Sequence, residues 1–306
     1  MDKTILCLTS REFREVWDVV WFNEFIIEIY NKFNLLYIEK WTYDMWNNTD
    51  QYFIETYGKM PDYIIGYEAI DWPNSKSKKI LITEDLHHWE IKDLEQLLES
   101  IDIILPRFNI INNLFNNKFN NKIIEFPLYC NKMFFADNIN YNSENKIITY
   151  GNLSGSYHLR LKWVDYMNNN YSDIFKHIAA SSVNTSKTIR NYSFGLVVGY
   201  TPERFENINK KKNGYIVAKF YEILGSGLLL LADTTDIKEE FTKYGFEDNK
   251  NYIDISFDNI HQKIKFIIDP ANSNKINEIR RNGYNFVKNN HLLNNRIETL
   301  QTIFKS

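Results

Sequence analysis

Short apolar runs alternate with amphipathic stretches along the first half of the chain. Residues 16–30 place apolar side chains on helical faces and are predicted to be a helix. The apolar runs predict strands at residues 5–8, 35–38, 63–65, 80–82, 101–105 and 123–126. Because strands that alternate with helices are typical of βαβ units, this half predicts a mostly parallel sheet.

A second series of the same kind follows a polar segment. Residues 137–146, DNINYNSENK, have no periodicity and are predicted to form a linker. Beyond the linker, the pattern predicts strands at 147–150, 194–198, 228–232 and 252–255, and helices at 256–268 and 273–289. The chain shows no internal repeat beyond these two similar halves, so we predict two α/β domains.

Residues 219–233, KFYEILGSGLLLLAD, combine a helix, a turn, a strand and a loop in one short segment. The helix is predicted to have one apolar face, made by Val217, Phe220, Tyr221 and Leu224. Lys219 and Glu222 fall three residues apart on the opposite, polar face, where their side chains are neighbours. Gly225 is predicted to cap the helix, and the apolar run 228–232 is typical of a parallel strand buried on both faces. Because open α/β sheets bind ligands outside the carboxyl ends of their strands, this end is a candidate site.

Length and composition limit the number of domains and the kinds of molecule that the protein is expected to bind. A chain of 306 residues is long enough for two domains of ~100–200 residues each. Its 36 basic and 39 acidic residues give a net charge of -3. The chain therefore does not have the excess of basic residues that is typical of a nucleic-acid-binding protein. The first residues have too short an apolar run for a signal peptide, and no stretch approaches the ~18 apolar residues of a membrane span. We therefore expect a soluble, cytoplasmic protein with no nucleic-acid partner and no transmembrane segment.

The segment 219–233 resembles the donor-site signature of group 1 glycosyltransferases with the GT-B fold. That signature typically has Lys or Arg, an aromatic residue, Glu, an apolar pair, a small residue and Gly before an apolar strand. The likeness extends to PLYCNKMFF at 127–135, to YGNLSGSYHLRLKW at 150–163 and to the terminal helices. The chain is most similar to the spore-maturation-type glycosyltransferase group. The resemblance is good from residue 123 onward and looser before it.

The resemblance implies an α/β architecture of the GT-B type, in which two Rossmann-like domains with mostly parallel sheets face a cleft. Residues 1–140 are then expected to form an N-terminal acceptor domain, and residues 141–290 a C-terminal domain that binds a nucleotide sugar. Residues 291–306 are expected to form a C-terminal helix that packs back on the N-terminal domain.

The resemblance also implies a set of donor-binding residues in the C-terminal domain. Gly151 and Asn152 follow a strand, where a glycine lets the backbone approach a diphosphate and the next helix N-terminus favours negative charge. The family often has Arg at the position of Asn152, and either Arg160 or Lys162 could supply that charge. Arg160 is preferred because Arg suits bidentate phosphate binding. Lys219 is expected at the diphosphate or the sugar. Glu222 is expected at the ribose, since a carboxylate accepts two hydroxyl hydrogen bonds.

Two departures from the family pattern bear on this site. Thr234 and Thr235 stand where the family often has small residues under the donor phosphates, and their hydroxyls are expected to bind oxygen atoms there. Many retaining relatives carry an acidic residue eight positions before the glutamate, and here that position is Gly214. The retaining or inverting outcome therefore stays open.

The segment ITEDLHHW, at 82–89, is the candidate acceptor site in the N-terminal half. Asp85 and His87 follow a predicted strand, and either is suited to act as the general base that deprotonates the acceptor hydroxyl. Steadying the donor sugar is the alternative role. Paired histidines also suggest zinc, but no third and fourth ligands lie nearby in sequence, and GT-B enzymes usually need no metal. We expect no metal and no cofactor apart from the donor substrate.

The resemblance thus implies a metal-independent glycosyltransferase of the hexosyl type in glycan biosynthesis. It would move a sugar from a nucleoside diphosphate to a hydroxyl of a glycan, lipid-linked or protein-linked acceptor. Two alternatives remain: a non-catalytic GT-B-like protein that binds a glycan or a partner, and a nucleotide-sugar isomerase of the same fold. The sequence has no P-loop, no GxGxxG motif and no nucleophile elbow, so no motif supports a kinase, a dehydrogenase or a hydrolase.

Overall fold

A computed structural model gives the architecture of the chain. It describes residues 4–9, 19–37, 47–67, 72–83, 90–107, 111, 114–153, 157–179, 182–199 and 214–305. The chain divides into two compact units, of which the first is Met1–Pro127 with Ile297–Ser306 and the second is Leu128–Arg296. None of the helices in the described ranges combines the length and the apolar character needed to span a bilayer.

The first unit is built on a parallel sheet. Its described strands are β1 (Thr4–Thr9), β2 (Asn34–Tyr37), β3 (Tyr63–Tyr67), β4 (Lys78–Thr83) and β5 (Ile103–Pro106). The helices that alternate with them are α1 (Val19–Lys32), α2 (Thr49–Tyr57) and α3 (Ile91–Ser100). The strands are ordered β2-β1-β3-β4-β5, and every neighbouring pair is parallel. Consecutive apolar residues of β3 and β4 are fully buried, because parallel strands are covered on both faces.

The second unit repeats this plan. Its strands are β6 (Glu144–Tyr150), β7 (Phe175–Ile178), β8 (Tyr192–Val198), β9 (Leu229–Asp233) and β10 (Ile253–Asp254). The helices are α4 (His158–Tyr171), α5 (Ser182–Ile189), α6 (Ala218–Gly225), α7 (Lys238–Lys243), α8 (Ile260–Ile268) and α9 (Ser273–Asn290). Among the described residues, the strands are ordered β10-β9-β8-β6-β7 and all pairs are parallel. Two α/β units with parallel sheets confirm the predicted fold class at this level.

Each sheet has a point at which the chain reverses its direction across the sheet. In the second unit, the chain runs from β6 to β7 on one side and then returns to β8 on the other side of β6. Open α/β sheets of this order bind ligands outside the carboxyl ends of the strands at the switch point. The fold therefore singles out the carboxyl ends of β6 and β8.

The turn between α6 and β9 is a helix cap built around Gly227. Gly227 has a φ of 78°, and the N–H groups of Gly227 and Leu228 bond to carbonyls of the last turn of α6 over 3.0 and 3.2 Å. This is the Schellman pattern, which favours glycine at the left-handed position. The prediction that Gly225 caps the helix is wrong. Gly225 is the last helical residue, and the sulfur of Cys130 occupies the space that a side chain would need there.

The structure differs from the predicted strands in two places. Residues 123–126 do not form a strand, because Ile123 makes only a single parallel bridge to Ile104. Pro127 follows at once and has no N–H to extend the ladder. The strand β7 was not predicted, because Lys176 and His177 interrupt its apolar residues.

Residues 128–140 pack with the second unit. The N–H of Ala136 donates to the carbonyl of Gly225 over 2.9 Å, and the hydroxyl of Tyr284 donates to the carbonyl of Ala136 over 2.7 Å. The hydroxyl of Ser226 donates to the carbonyl of Phe134 over 2.7 Å. The compact units thus divide at 127/128, whereas the domain boundary proposed from the linker lies at 140/141.

The terminal helix α10 (Leu293–Lys305) contributes to the first unit from Ile297 onward. The ring of Phe304 lies 4.7 Å from that of Tyr63 and 4.9 Å from that of Phe33, centroid to centroid. Both partners are core residues of the first unit, so the last turns of α10 pack into the core of that unit.

Candidate functional site

The carboxyl edge of the second sheet carries the candidate site. β6 ends at Tyr150, and α4 begins soon afterwards at His158. α6 begins at Ala218, on the way from β8 to β9. Because each helix follows a parallel strand, both begin at the edge where the strands end. The free N–H groups of a helix N-terminus favour negative charge, so this edge is suited to an anion.

Two cationic side chains converge on Gly151, the first residue after β6. A Cβ on this glycine would lie 2.9 Å from Nη1 of Arg160 and 3.1 Å from Cε of Lys219. Its φ of 117° is also one that residues with a side chain rarely adopt. The N–H of Gly151 already donates to the carbonyl of Ile178 over 3.2 Å. The glycine therefore provides space for the two cations, and its N–H belongs to the sheet.

Arg160 is held in place by its neighbours. Its Nη1 donates to the carbonyl oxygen of Asn152 over 2.8 Å, and its guanidinium lies 4.3 Å from the ring centroid of Tyr157. Arg160 is buried, and burial lowers its pKa from the usual value, although a guanidinium in a protein stays charged. The side chain of Asn152 is exposed, so its described contribution to the site is the backbone carbonyl that orients Arg160.

Lys219 and Glu222 face the interior of the second unit. The polar face predicted for them is not a solvent face at Glu222, which is only 5% exposed, and Lys219 lies against Gly151. Residues 220–225 of α6 are all buried, so this helix has no solvent face along its last two turns. The packing of α9 explains part of this burial, since Gly283 fits against Leu224 with no room for a side chain.

Tyr150 joins the end of β6 to α6. Its hydroxyl donates a hydrogen bond to Oε2 of Glu222, and its ring stacks on Phe134 at 6.0 Å between centroids. Nζ of Lys219 lies 5.4 Å from the centroid of the same ring. Sequence analysis missed this residue. In the sequence it is a tyrosine at the last position of a buried strand, directly before the glycine of the site, and that position alone does not reveal its partner.

Positive charge at the site is concentrated and desolvated. Burial, together with the nearby Arg160, lowers the pKa of Lys219 to about 8, against the opposing effect of Glu222. Within the described residues, neither cation has a carboxylate oxygen within 4.0 Å of its side-chain nitrogens. A multiply charged anion that approached both nitrogens would relieve their mutual repulsion, so the site is complementary to a diphosphate.

Thr234 and Thr235 donate their hydroxyl hydrogens to carboxylates at the ends of β9 and β10. Thr234 bonds to Oδ1 of Asp254 over 2.6 Å, and Thr235 bonds to Oδ1 of Asp233 over 2.6 Å. The other oxygen of Asp233 accepts from the indole N–H of Trp163 over 2.8 Å. These two carboxylates add negative charge to this part of the edge, so an anion is favoured beside β6 instead. The expected contact of the threonines with a donor stays a prediction.

Gly214 lies against the loop that follows β9. A Cβ at this position would lie 2.9 Å from the carbonyl oxygen of Asp236 and would overlap the side chain of Ile237. An acidic side chain at residue 214, as in many retaining relatives, therefore has no room in this arrangement.

The acceptor-site residues Asp85 and His87 lie outside the described part of the chain. Their role stays a prediction. Within the part that is described, no group of three or more His, Cys, Asp or Glu side chains is arranged to hold a metal ion.

A family model described as glycosyl transferase-like matches residues 146–302. The match covers just over half of the chain and contains all the residues that converge on Gly151. The chain belongs to the glycosyl transferase-like family. A sequence comparison with curated proteins finds no significant match. The narrower likeness of this family member to the spore-maturation-type group stays a prediction.

Solved structures show the fold of this glycosyl transferase-like protein. A glycosyltransferase from Rickettsia africae ESF-5 has a TM-score of 0.64 at 13% identity, over 99% of this chain and 98% of that one. HepE from Anabaena, in complex with UDP, has a TM-score of 0.63 at 7% identity, over 99% of both chains. An α1,3-fucosyltransferase with GDP has a TM-score of 0.57 at 10% identity, over 99% of this chain and 90% of that one. At these identities the likeness shows the fold alone, and it confirms the predicted GT-B class.

Replacing Glu222 by Ala in this glycosyl transferase-like protein is expected to lower the free energy of unfolding. The change leaves the buried hydroxyl of Tyr150 without its acceptor, which costs roughly 1–3 kcal/mol. Glu222→Gln keeps an acceptor oxygen and is expected to lose less than half as much. Urea unfolding at pH 7 measures both variants. An alanine variant as stable as the wild type would show that Glu222 is not held by Tyr150.

Proposed function

We propose that the protein moves a sugar of the hexosyl type from a nucleoside diphosphate to a hydroxyl group of an acceptor. The observation that carries the proposal is the convergence of Arg160 and Lys219 on Gly151, at the switch point of the second sheet. Family membership supplies the transferase class, and the two desolvated cations supply a site that fits a diphosphate.

Arg160 and Lys219 bind the donor diphosphate in this proposal. The planar guanidinium of Arg160 suits two phosphate oxygens at once, whereas the ammonium of Lys219 acts as a point charge. Negative charge grows on the diphosphate as its bond to the sugar breaks, and both cations stabilise it there. Because Arg160 is already oriented by Asn152 and Tyr157, this stabilisation requires little reorganisation.

Glu222 is assigned to the ribose of the donor. A carboxylate offers about four lone-pair sites, and the described bond from Tyr150 uses one of those on Oε2. Thr234 and Thr235 retain acceptor lone pairs after donating to Asp254 and Asp233, so their hydroxyls suit a sugar hydroxyl better than a phosphate oxygen.

Asp85 and His87 are assigned to the acceptor, with one of them as the base that takes the proton of its hydroxyl. We further propose that the transfer needs no metal ion, because two protein cations supply the positive charge at the diphosphate.

The ligands of structurally similar proteins support a nucleotide sugar as donor. HepE from Anabaena has been crystallised with UDP and glucose, with a TM-score of 0.59 to this chain, and the fucosyltransferase contains GDP. UDP and GDP are therefore the first nucleotides to test, and glucose supports a hexose as the transferred group.

The proposal is tested by thermal unfolding with UDP, GDP, ADP and dTDP. A nucleotide at a hundred times its dissociation constant stabilises the protein by ~2.7 kcal/mol. At roughly 2–4 °C for each kcal/mol, Tm is expected to rise by roughly 5–11 °C. The shift is expected to disappear in Arg160→Gln. It is expected to persist in Lys162→Gln, which removes an exposed positive charge from the same helix.

The nucleotide that binds is then supplied as its sugar conjugate. Release of that nucleotide is expected only when a hydroxyl acceptor is present, and addition of EDTA is expected to leave the rate unchanged. Absence of any thermal shift would refute the donor site. Binding without turnover on any acceptor would favour a non-catalytic protein, and turnover without an acceptor would identify an isomerase.

A further inference from the structure

Tyr150 lies at the centre of the proposed donor site, although its side chain is uncharged and cannot itself neutralise a diphosphate. It is 4% exposed, at the last position of β6. Its hydroxyl reaches Glu222, its ring lies under Lys219, and its backbone leads directly into Gly151. A side chain that contacts both charged residues of α6 is placed to control how they interact with each other.

The hydroxyl of Tyr150 is a permanent donor to Glu222. Burial, and then the charge of the Glu222 carboxylate, raises the pKa of Tyr150 well above its usual value. The phenol therefore keeps its proton at every pH at which the protein works. Stacking on Phe134 fixes the plane of the ring, which leaves the hydroxyl directed at Oε2 of Glu222.

Lys219 and Glu222 do not form an ion pair, although they are spaced to form one. Residues three apart on a helix are neighbours, and opposite charges at this spacing commonly pair. Here no oxygen of Glu222 lies within 4.0 Å of Nζ of Lys219 among the described contacts, and Nζ lies over the ring of Tyr150 instead. The ring face attracts a cation, and the hydroxyl holds the carboxylate.

We propose that Tyr150 is a positioning residue, which holds the carboxylate of Glu222 by a hydrogen bond and thereby keeps the ammonium of Lys219 free to bind the donor diphosphate. The proposal rests on the proposed function, because it concerns the same site. It adds a residue that does not itself contact the leaving group, and it explains why Lys219 is not neutralised by the carboxylate three residues away.

Among the described residues, three groups face Lys219 and influence its titration. Arg160 faces it from α4, Glu222 from α6 and the ring of Tyr150 from β6. His177 of β7 stands behind Gly151, with Nε2 2.9 Å from the glycine carbonyl oxygen. Loss of the Tyr150 hydroxyl removes the described hydrogen bond that holds the Glu222 carboxylate. We expect the carboxylate then to interact more closely with Lys219, which raises the pKa of Lys219 above its value of about 8.

The test is Tyr150→Phe, which removes the hydroxyl and keeps the ring. An amine-reactive ester acylates only the neutral amine of Lys219. The extent of acylation in the ligand-free protein, measured by peptide mass spectrometry over a range of pH, therefore gives the midpoint at which Lys219 loses its proton. The midpoint is expected near pH 8 in the wild type and at least one pH unit higher in the variant. Glu222→Gln removes the charge that stabilises the ammonium, and its midpoint is expected below that of the wild type.

Binding of the nucleoside diphosphate that stabilises the wild type gives the second measurement. At pH 7, its dissociation constant is expected to rise about tenfold in Tyr150→Phe, because Lys219 is then neutralised by Glu222. In the wild type the affinity falls as the pH rises through about 8, and in the variant this fall moves to higher pH.

Tyr284→Phe is the matched control. It also removes a buried tyrosine hydroxyl of the second unit, but one that donates to the backbone carbonyl of Ala136. It is expected to leave both pH midpoints unchanged. A Tyr150→Phe variant with the wild-type acylation midpoint would overturn the positioning role. If that variant fails to fold, Glu222→Gln replaces it in the test, and a wild-type midpoint in Glu222→Gln would overturn the role equally. A wild type that binds no nucleotide would refute the proposed function alone, because the acylation midpoints do not depend on a ligand.

Discussion

Lys219→Met is expected to reduce the rate of sugar transfer about 10²–10³-fold while making the folded protein more stable. The loss of activity corresponds to removal of one preorganised charge that stabilises the leaving group, which is worth ~2.7–4 kcal/mol. Methionine keeps the apolar stem that packs beside Gly151, so the change removes mainly the charge. The value of kcat with saturating donor and acceptor measures the first effect.

The gain in stability follows from the lowered pKa of Lys219. The pKa is about 8 in the folded protein and about 10.4 in an unfolded chain, so folding disfavours the charged form. The cost is fully present below pH 8, where both states hold the proton. Between pH 8 and about 10.4 the unfolded chain binds more protons, so the wild type gains stability as the pH rises. Lys219→Met is therefore expected to be more stable by on the order of 1–2 kcal/mol at pH 7, with no advantage above about pH 10.4.

Lys162→Met separates this effect from a general loss of positive charge. Lys162 lies exposed on α4, so its replacement is expected to change stability by less than ~0.5 kcal/mol and to leave transfer unchanged. Urea unfolding of both variants at pH 7 and pH 10.5 gives the comparison. A Lys219→Met variant that is less stable than the wild type at pH 7 would show that Lys219 makes a stabilising contact and is not held ready for a ligand.

Gly151→Ala is expected to weaken donor binding by at least tenfold and to lower the free energy of unfolding by roughly 1–3 kcal/mol. The new methyl group would lie 2.9 Å from Nη1 of Arg160 and 3.1 Å from Cε of Lys219. Both side chains must move away from the position at which they converge. The backbone of residue 151 must also leave its φ of 117° or bear the strain. Nucleotide titration by calorimetry and urea unfolding measure the two losses.

Gly58→Ala is the control for backbone strain alone. Gly58 also has a positive φ, of 75°, but a Cβ there would meet no atom within 4 Å, and the residue caps α2 in the first unit. We expect a loss of stability of about 1–2 kcal/mol without any change in donor affinity. If Gly151→Ala binds the nucleotide as tightly as Gly58→Ala does, the cations do not meet the ligand beside Gly151.

Much of the fold follows from local pattern. The apolar runs of β3, β4, β8 and β9 are buried on both faces of parallel sheets, and such runs can be recognised without knowledge of their neighbours. The same holds for α9, whose apolar residues repeat at helical spacing. Where the pattern was weak, the prediction failed: β7 contains Lys176 and His177, and residues 123–126 are apolar but end at Pro127.

The candidate site was found in part from the sequence. Gly151, Arg160, Lys219 and Glu222 were proposed one by one. The structure brings Arg160 and Lys219 to Gly151, and Tyr150 links Glu222 to the end of the same strand, while their roles in donor binding stay predictions. Tyr150 was missed, because an aromatic residue at the end of a buried strand is indistinguishable from a core residue until its partner is known.

The sequence by itself determined those strands and helices that have a clear apolar pattern, and that Lys219 and Glu222 share one face of α6. Only the tertiary structure decided that this face is buried and turned toward Gly151. The physical reason is that the spacing of residues along a helix sets which side chains are neighbours, whereas burial depends on what packs around the helix. Here β6 supplies Tyr150 from more than sixty residues away, and α9 covers α6 from the other end of the unit.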